Sequence, residues 1–381
     1  MADSSRRQGG NKKRRPGSKK KNGGNKIIRN VIIGVEAVVL IAVIVILIFV
    51  FRATGDETGV QKYDLDPDKI VINVDEDDPV VQETRKGYTT LALFGVDARA
   101  KNLDKGTRTD TIIIAAIDND TGETRLCSIY RDTLLNIGTQ DKPSYSKCNA
   151  AYAYGGPEKA LNMLNQNLDL YITQFLTVGF DGVMNTVDAV GGVDIDIQQN
   201  EIKFLNDYQA SMYSTETNTV ITDDYVPITT TGLQTLSGYQ ALAYCRIRYT
   251  AGSDFKRTER QRDVLSQIIA KSKKLDPVKI TKICNDVFPL TATNMDLKDD
   301  IIPMATSVSN YTIVDSTGFP FGDKITTGLL GPKGDCVIPV DLESNVRELH
   351  EFLYPTVEYT PSETVINTSN EIKAEAARYG K

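Results

Sequence analysis

Val31 to Phe51 is a run of 21 residues whose only ionisable side chain is Glu36. A helix of that length crosses a hydrocarbon core of roughly 30 Å. Residues 1–30 hold eleven Lys and Arg against one acid, Asp3. Positive charge stays on the cytoplasmic side of such a span. The expected organisation is therefore a basic cytoplasmic arm over 1–30, a transmembrane helix over 31–51, and an extracytoplasmic remainder, a single-pass type II arrangement. A cleaved signal peptide fits less well, because its apolar core would be shorter and Phe51, Arg52 and Ala53 form a poor cleavage site. This topology also argues against nucleic acid as the partner of the arm, whose charges act as an orientation signal.

The chain has 44 Lys and Arg against 50 Asp and Glu, so the extracytoplasmic remainder is strongly acidic. Residues 52–87, with Asp75, Glu76, Asp77 and Asp78 in a row, read as an acidic stalk. From Tyr88 strands and helices alternate. Leu91 to Val96, Thr111 to Ile117 and Arg125 to Ile129 have strand patterns, the last two joined by the turn signal Asp118 to Gly122. A helix follows Gly155 and Gly156 with Pro157 in its first turn, then a strand over Tyr171 to Phe180 and a helix over Asp181 to Val190, stopped by Gly191 and Gly192. Val193 to Ile197 is a strand, Ser214 to Thr231 an exposed loop or hairpin, and Lys256 to Lys273 a helix. The order implies a layered α/β domain over 88–355, followed by a loose polar tail over 356–381.

The single histidine, His350, makes a Ser-His-Asp triad or a multi-histidine zinc site improbable. Five cysteines, Cys127, Cys148, Cys245, Cys284 and Cys336, form no CxxC pair and are an odd number for an exported domain. Cys127 and Cys245 sit in apolar runs and read as small buried hydrophobes; a Cys284 to Cys336 bond stays open. Chemistry must rest on carboxylates, arginines and a metal.

Asp97 ends the first strand, Asp110 opens the second, and Arg131 with Asp132 ends the third. If the three strands are antiparallel neighbours, these side chains reach one sheet edge. Hard carboxylate oxygens there could hold a divalent cation that bridges phosphate oxygens, with arginine binding those oxygens as a fork; a surface salt-bridge cluster is the plainer alternative. Tyr244, Arg246 and Arg248 alternate with Cys245 and Ile247, which as a strand puts two arginines on one face. Arg257, Arg260 and Gln261 lie at i, i+3 and i+4 on the stripe that continues through Val264 and Ile268, so they point inward. Inward arginines need a counter-charge, either a phosphate or an internal carboxylate such as Asp254. With no P-loop and no GxGxxG, a nucleotide is not indicated, and a membrane span beside a pyrophosphate cleft suggests a lipid-linked phosphate.

These residues resemble the LytR-CpsA-Psr family of cell-wall phosphotransferases. The resemblance runs from about Tyr88 to Tyr354 and rests on an ordered set: Leu93-Phe94-Gly95-Val96-Asp97, Arg108-Thr109-Asp110-Thr111, Ser128-Ile129-Tyr130-Arg131-Asp132, Asn149 to Gly156, Gly191-Gly192-Val193, Ala241 to Arg248, and Asp254 to Gln261. It implies an α/β/α domain with a central mixed β-sheet. The implied activity is transfer of a glycopolymer, such as teichoic acid or capsule, from a polyprenyl-pyrophosphate carrier to peptidoglycan. It further implies Mg²⁺ (or Mn²⁺) on Asp97 and Asp110, catalytic roles for Asp97, Asp110, Arg131 and Asp132, and lipid pyrophosphate contacts from Arg131, Arg246, Arg248, Arg257 and Gln261, with Arg108 and Arg260 added. The family usually has Pro where this chain has Tyr130. Two rival readings stand: a hydrolase that keeps the site and uses water as acceptor, and, of another class, a lipid- or wall-binding regulator without turnover.

Overall fold

The computed structural model describes residues 60–74, 77–96, 103, 104, 106–213, 225–248, 253–272, 290–296, 300 and 312–381. The expected arm and transmembrane helix lie outside the described residues; among those described, no helix is long and apolar enough to cross a membrane.

In chain order the elements are β1 (Gln61–Lys62), α1 (Pro79–Gly87), β2 (Tyr88–Val96), β3 (Thr109–Asp118), β4 (Glu123–Ile129), β5 (Leu134–Asn136), β6 (Tyr145–Lys147), α2 (Ala150–Leu168), β7 (Gln174–Gly179), α3 (Phe180–Ala189), β8 (Val193–Ile197), α4 (Gln199–Tyr213), β9 (Gly232–Leu236), α5 (Gly238–Arg246), α6 (Ser253–Ser272), β10 (Thr291–Thr293), β11 (Thr312–Phe319), β12 (Ile325–Leu329), β13 (Asp335–Pro339), α7 (Leu342–Leu353) and α8 (Glu363–Ala377). A mixed sheet runs in the order β1-β10-β7-β2-β3-β4-β11. Its centre is the antiparallel meander β2-β3-β4, flanked by β7 parallel to β2 and β11 parallel to β4. The expected turn forms between β3 and β4: Asp118 Oδ1 accepts the Asp120 and Thr121 amides at 3.0 and 2.8 Å, and Gly122 takes φ 72°.

Period-two alternation divides the central strands between two cores. Ala92, Phe94, Val96, Ile112, Ile114, Cys127 and Ile129 pack with Leu161 and Leu164 of α2, Val346 and Leu349 of α7, and Val365 and Ile372 of α8. Leu91, Ala115 and Leu126 face the other way, onto Val187 of α3, Leu205 of α4, Ala241 and Tyr244 of α5, and Val264 and Ile268 of α6. The result is three layers, α/β/α, as the resemblance implied.

Four local readings are corrected. Residues 60–87 are not a free stalk: β1 joins the sheet edge, Tyr63, Leu65, Ile70 and Val80 pack on the core, and Asn162 Oδ1 on α2 accepts the Val71 amide at 2.8 Å. The C-terminal segment is no loose tail, because α8 starts at the N-cap Ser362 and buries Val365, Ile372 and Ala376. Tyr244 to Cys245 lie in a helix, α5, which begins with a capping box between Ser237 and Gln240. Cys336 is a buried free thiol rather than half of a bond to Cys284, which lies outside the described residues. Within the expected loop, residues 214–224 also lie outside them, and β9 beyond it pairs antiparallel with β8.

Candidate functional site

Strand directions bring the C-terminal ends of β2, β4, β7 and β11 and the start of β3 to one edge of the sheet. Val96 is paired with both Thr109 and Gly179, and Ile129 with Phe319. Ligands of open α/β sheets commonly sit at this end. The β2-β3 register shifts there: Gly95 pairs with Thr111 and Val96 with Thr109, which leaves Asp110 as the extra residue of a bulge. A bulge turns its side chain out of the regular alternation, and Asp110 is delivered to the edge in this way.

Arg131 follows β4 in a main-chain segment held on both sides. The Tyr130 amide donates to Phe319 O at 3.0 Å, and Tyr130 O accepts from the Thr133 amide at 2.9 Å and from Thr133 Oγ1 at 2.6 Å. The carbonyl of Arg131 itself accepts from the Asn149 amide at 3.1 Å, at the start of α2. The Tyr130 phenol lies over Gly318, where an added Cβ would stand 2.2 Å from Oη and 2.5 Å from Cζ. Proline at position 130 could not donate the first of these bonds, so this chain fixes its strand end by a tyrosine and glycine pair instead.

Arg131 Nη1 donates to Asp110 Oδ1, and Arg248 Nη2 lies 3.7 Å from the same oxygen. Thr111 Oγ1 meets Gln261 Oε1 of α6 at 3.3 Å, which places Gln261 beside the bulge. Asp132 lies between Arg131 Nε at 3.5 Å and Lys147 Nζ at 3.2 Å. Lys147, Asp132, Arg131, Asp110 and Arg248 thus form a line of alternating charge contributed by four separate segments. Lys147 had no signal in the sequence: it ends β6, a strand of three residues, and only the hairpin with β5 brings it to Asp132. This line sets three cations against two carboxylates, a charge pattern suited to an anion that two arginines bind together.

The remaining candidates fall in three places. Arg257 on α6 is buried, 3% exposed, and Arg246 lays its guanidinium over the rings of Phe180 and Tyr208 at 5.1 and 5.7 Å; Phe180 follows the β7 end directly. Arg108 is exposed, just before β3. Arg260, expected among the pyrophosphate contacts, instead turns into the fold: its Nε is 2.8 Å from Glu201 Oε1, with the two side chains 5% and 7% exposed. The internal carboxylate for it is Glu201 on α4, whereas Asp254 has no described side chain. Asp97 lies outside the described residues.

Hard oxygen donors suit Mg²⁺, and the described part of the edge offers the Asp110 carboxylate together with Thr109 Oγ1, which is buried and has no hydrogen-bond partner. These oxygens are of the type a divalent cation takes, but among the described residues no three carboxylate, histidine or cysteine side chains are grouped to hold one. Cysteine chemistry does not fit: burial pushes the Cys148 thiol up, and the Cys245 thiol up to about 12, so neither is a nucleophile at neutral pH.

The chain is similar to known proteins in both sequence and fold. A model of the LytR_cpsA_psr family matches residues 49–329. Biofilm regulatory protein A of Streptococcus mutans is 30% identical over 222 residues, 56% of this chain and 52% of that protein. The polyisoprenyl-teichoic acid--peptidoglycan teichoic acid transferase TagV of Bacillus subtilis is 26% identical over 287 residues, 74% of this chain and 68% of its own. The crystal structure of B. subtilis TagV superposes with a TM-score of 0.52 at 26% identity, covering 72% of this chain and 99% of that one. The chain thus spans about half the length of the streptococcal relative and about two thirds of TagV.

Proposed function

Because the chain belongs to the LytR-CpsA-Psr family, we propose that it is a membrane-anchored, extracytoplasmic phosphotransferase. It moves a glycopolymer of the teichoic acid or capsule class from a polyprenyl-pyrophosphate carrier to peptidoglycan. The observation that carries this reading is the convergence of Arg131 and Arg248 on the one bulged carboxylate, Asp110, with Gln261 beside it. TagV, a relative with matching fold, is named as a polyisoprenyl-teichoic acid to peptidoglycan transferase.

In the reaction the acceptor hydroxyl oxygen attacks the phosphorus that bears the glycan. The new phosphorus–oxygen bond forms in line as the bond to the polyprenyl phosphate breaks, and the hydroxyl proton passes to a carboxylate of the edge. Arg131 and Arg248 bind the phosphate oxygens and stabilise the charge that grows on the bridging oxygen. Asp110 orients both guanidinium groups, and Asp132 with Lys147 braces Arg131 from behind. Asp110 and Asp97 would hold Mg²⁺, which would supply charge neutralisation at the pyrophosphate. The apolar segment 31–51 keeps the site near the lipid carrier.

The test is product analysis with the detergent-solubilised full-length protein, a polyprenyl-pyrophosphate glycan and peptidoglycan fragments. The expected product is glycan attached to the peptidoglycan, dependent on Mg²⁺ and lost with chelator. Free glycan phosphate, released with polyprenyl phosphate, would make the protein a hydrolase instead. No turnover across several donors, with lipid still bound, would favour the regulator suggested by the name of the streptococcal relative.

A further inference from the structure

The buried pair of Arg260 and Glu201 holds the segment that carries two of the candidate arginines. Helix α5 ends at Arg246, and the chain turns extended at Ile247, with φ −60° and ψ 124°. Ile247 is fully buried. Its amide bonds back to Tyr244 O at 3.3 Å, and its carbonyl accepts from Arg260 Nη1 at 3.1 Å. Arg260 Nε bonds Glu201 Oε1 at 2.8 Å, and the guanidinium lies 5.8 Å from the centre of the Tyr244 ring. The other oxygen of Glu201 accepts from the Gln198 amide at 2.9 Å, at the start of α4. Arg246 and Arg248 are therefore the two chain neighbours of the one residue whose carbonyl this clamp grips.

We propose that Glu201 and Arg260 are positioning residues for anion binding: Glu201 fixes the Arg260 guanidinium, which fixes the Ile247 carbonyl and so sets Arg246 and Arg248 at the sheet edge. The inference rests on the pyrophosphate-donor reading above. A guanidinium can bond a carboxylate through Nε and a carbonyl through Nη1 at once because its donors form a rigid fork; an ammonium is a point charge and cannot span both. The burial of the pair gives the clamp its stiffness, since withdrawing either partner leaves an uncompensated charge. With Nε and Nη1 committed and the residue 4% exposed, Arg260 acts on the anion through its neighbours.

The test uses the full-length protein in detergent, with farnesyl pyrophosphate as the probe in titration calorimetry and a thermal melt for each variant. Arg260→Lys keeps the charge opposite Glu201 but loses the bond to Ile247; Glu201→Gln keeps a hydrogen bond but loses the charge. Both are expected to raise the Kd for the probe by about tenfold, the effect of one charge-assisted hydrogen bond. In a transfer assay the donor KM rises more than kcat falls. Wild-type Kd in both folded variants would overturn the positioning role. Weakening in Arg260→Lys with none in Glu201→Gln would overturn it in favour of direct contact by Arg260. A wild-type protein that binds no farnesyl pyrophosphate would overturn the donor reading, and this inference with it.

Discussion

At the scale of single residues, the site depends on how firmly one arginine is held. Arg131 takes its place from the peptide units on either side of it, and the Tyr130 phenol packs where a Cβ at position 318 would stand. Gly318→Val would drive the phenol off β11 and tilt the strand end. The expected result is transfer reduced about 10- to 100-fold, the cost of misplacing a reacting group by about an ångström, with the melting temperature little changed. Tyr130→Ala in the same background should restore part of the rate, because it removes the clash. Equal rates for wild type and Gly318→Val would show that the pair does not set Arg131. Most of the site's residue types were legible in the sequence, since Asp110, Arg131, Arg248 and Gln261 are brought together by strand order and helix periodicity. The inward turn of Arg260 was legible too, but Lys147 and the Glu201 partner of Arg260 were not, because each depends on contacts between segments distant in the chain.

At the scale of elements, the helical layer on the α2 side is tied together around the chain's single histidine. His350 on α7 stacks on Tyr359, with ring centres 3.6 Å apart, and its Nε2 meets Leu168 O at 2.8 Å. Beside it Asp169, in the left-handed conformation at the end of α2, accepts from Asn73, Tyr359 and Ser362. Burial lowers the His350 pKa to about 4, against an opposing pull from the Leu168 carbonyl and the Asp169 charge. The unfolded chain binds a proton at this imidazole near pH 6.5, before the folded one does. The stability it contributes is thus complete above pH 6.5 and lost as pH falls from 6.5 toward 4, by about 3 kcal/mol. Asp118 and Asp341, whose carboxyls are held below the usual range, lose their contribution only at lower pH. Thermal melts between pH 7 and 4.5 should show this decline, and His350→Phe should flatten it; the same slope in the variant would assign the decline elsewhere. These ties also explain why the ends of the domain were misread. Acidic residues before Tyr88 and polar ones after Val357 look like spacer and tail until the partners that absorb them, Asn162, Asp169 and the core around Leu349, are in place. The segment Tyr244 to Arg248 was misread for a local reason, since five residues cannot distinguish alternation from a helix end, whereas the Ser237 and Gln240 box marked the helix start.

At the scale of the whole molecule, charge and apolar patterning agree on a single design. A basic arm and an apolar segment precede an acidic domain in which Arg131 and Arg248 meet at Asp110 on the sheet edge. The layered class was legible from the alternation of strand and helix patterns. The position of β11 beside β4, which completes the floor under Tyr130, was not, because parallel pairing over such a separation leaves no local mark. The most direct measurement of the central claim is the transfer rate of full-length Arg131→Ala and Arg248→Ala against wild type, with circular dichroism and melting followed in parallel. The predicted result is a loss of about 100-fold or more in kcat/KM for Arg131→Ala and a smaller loss for the more exposed Arg248→Ala, in proteins that remain folded. Wild-type rates in both variants would mean that the chemistry takes place elsewhere.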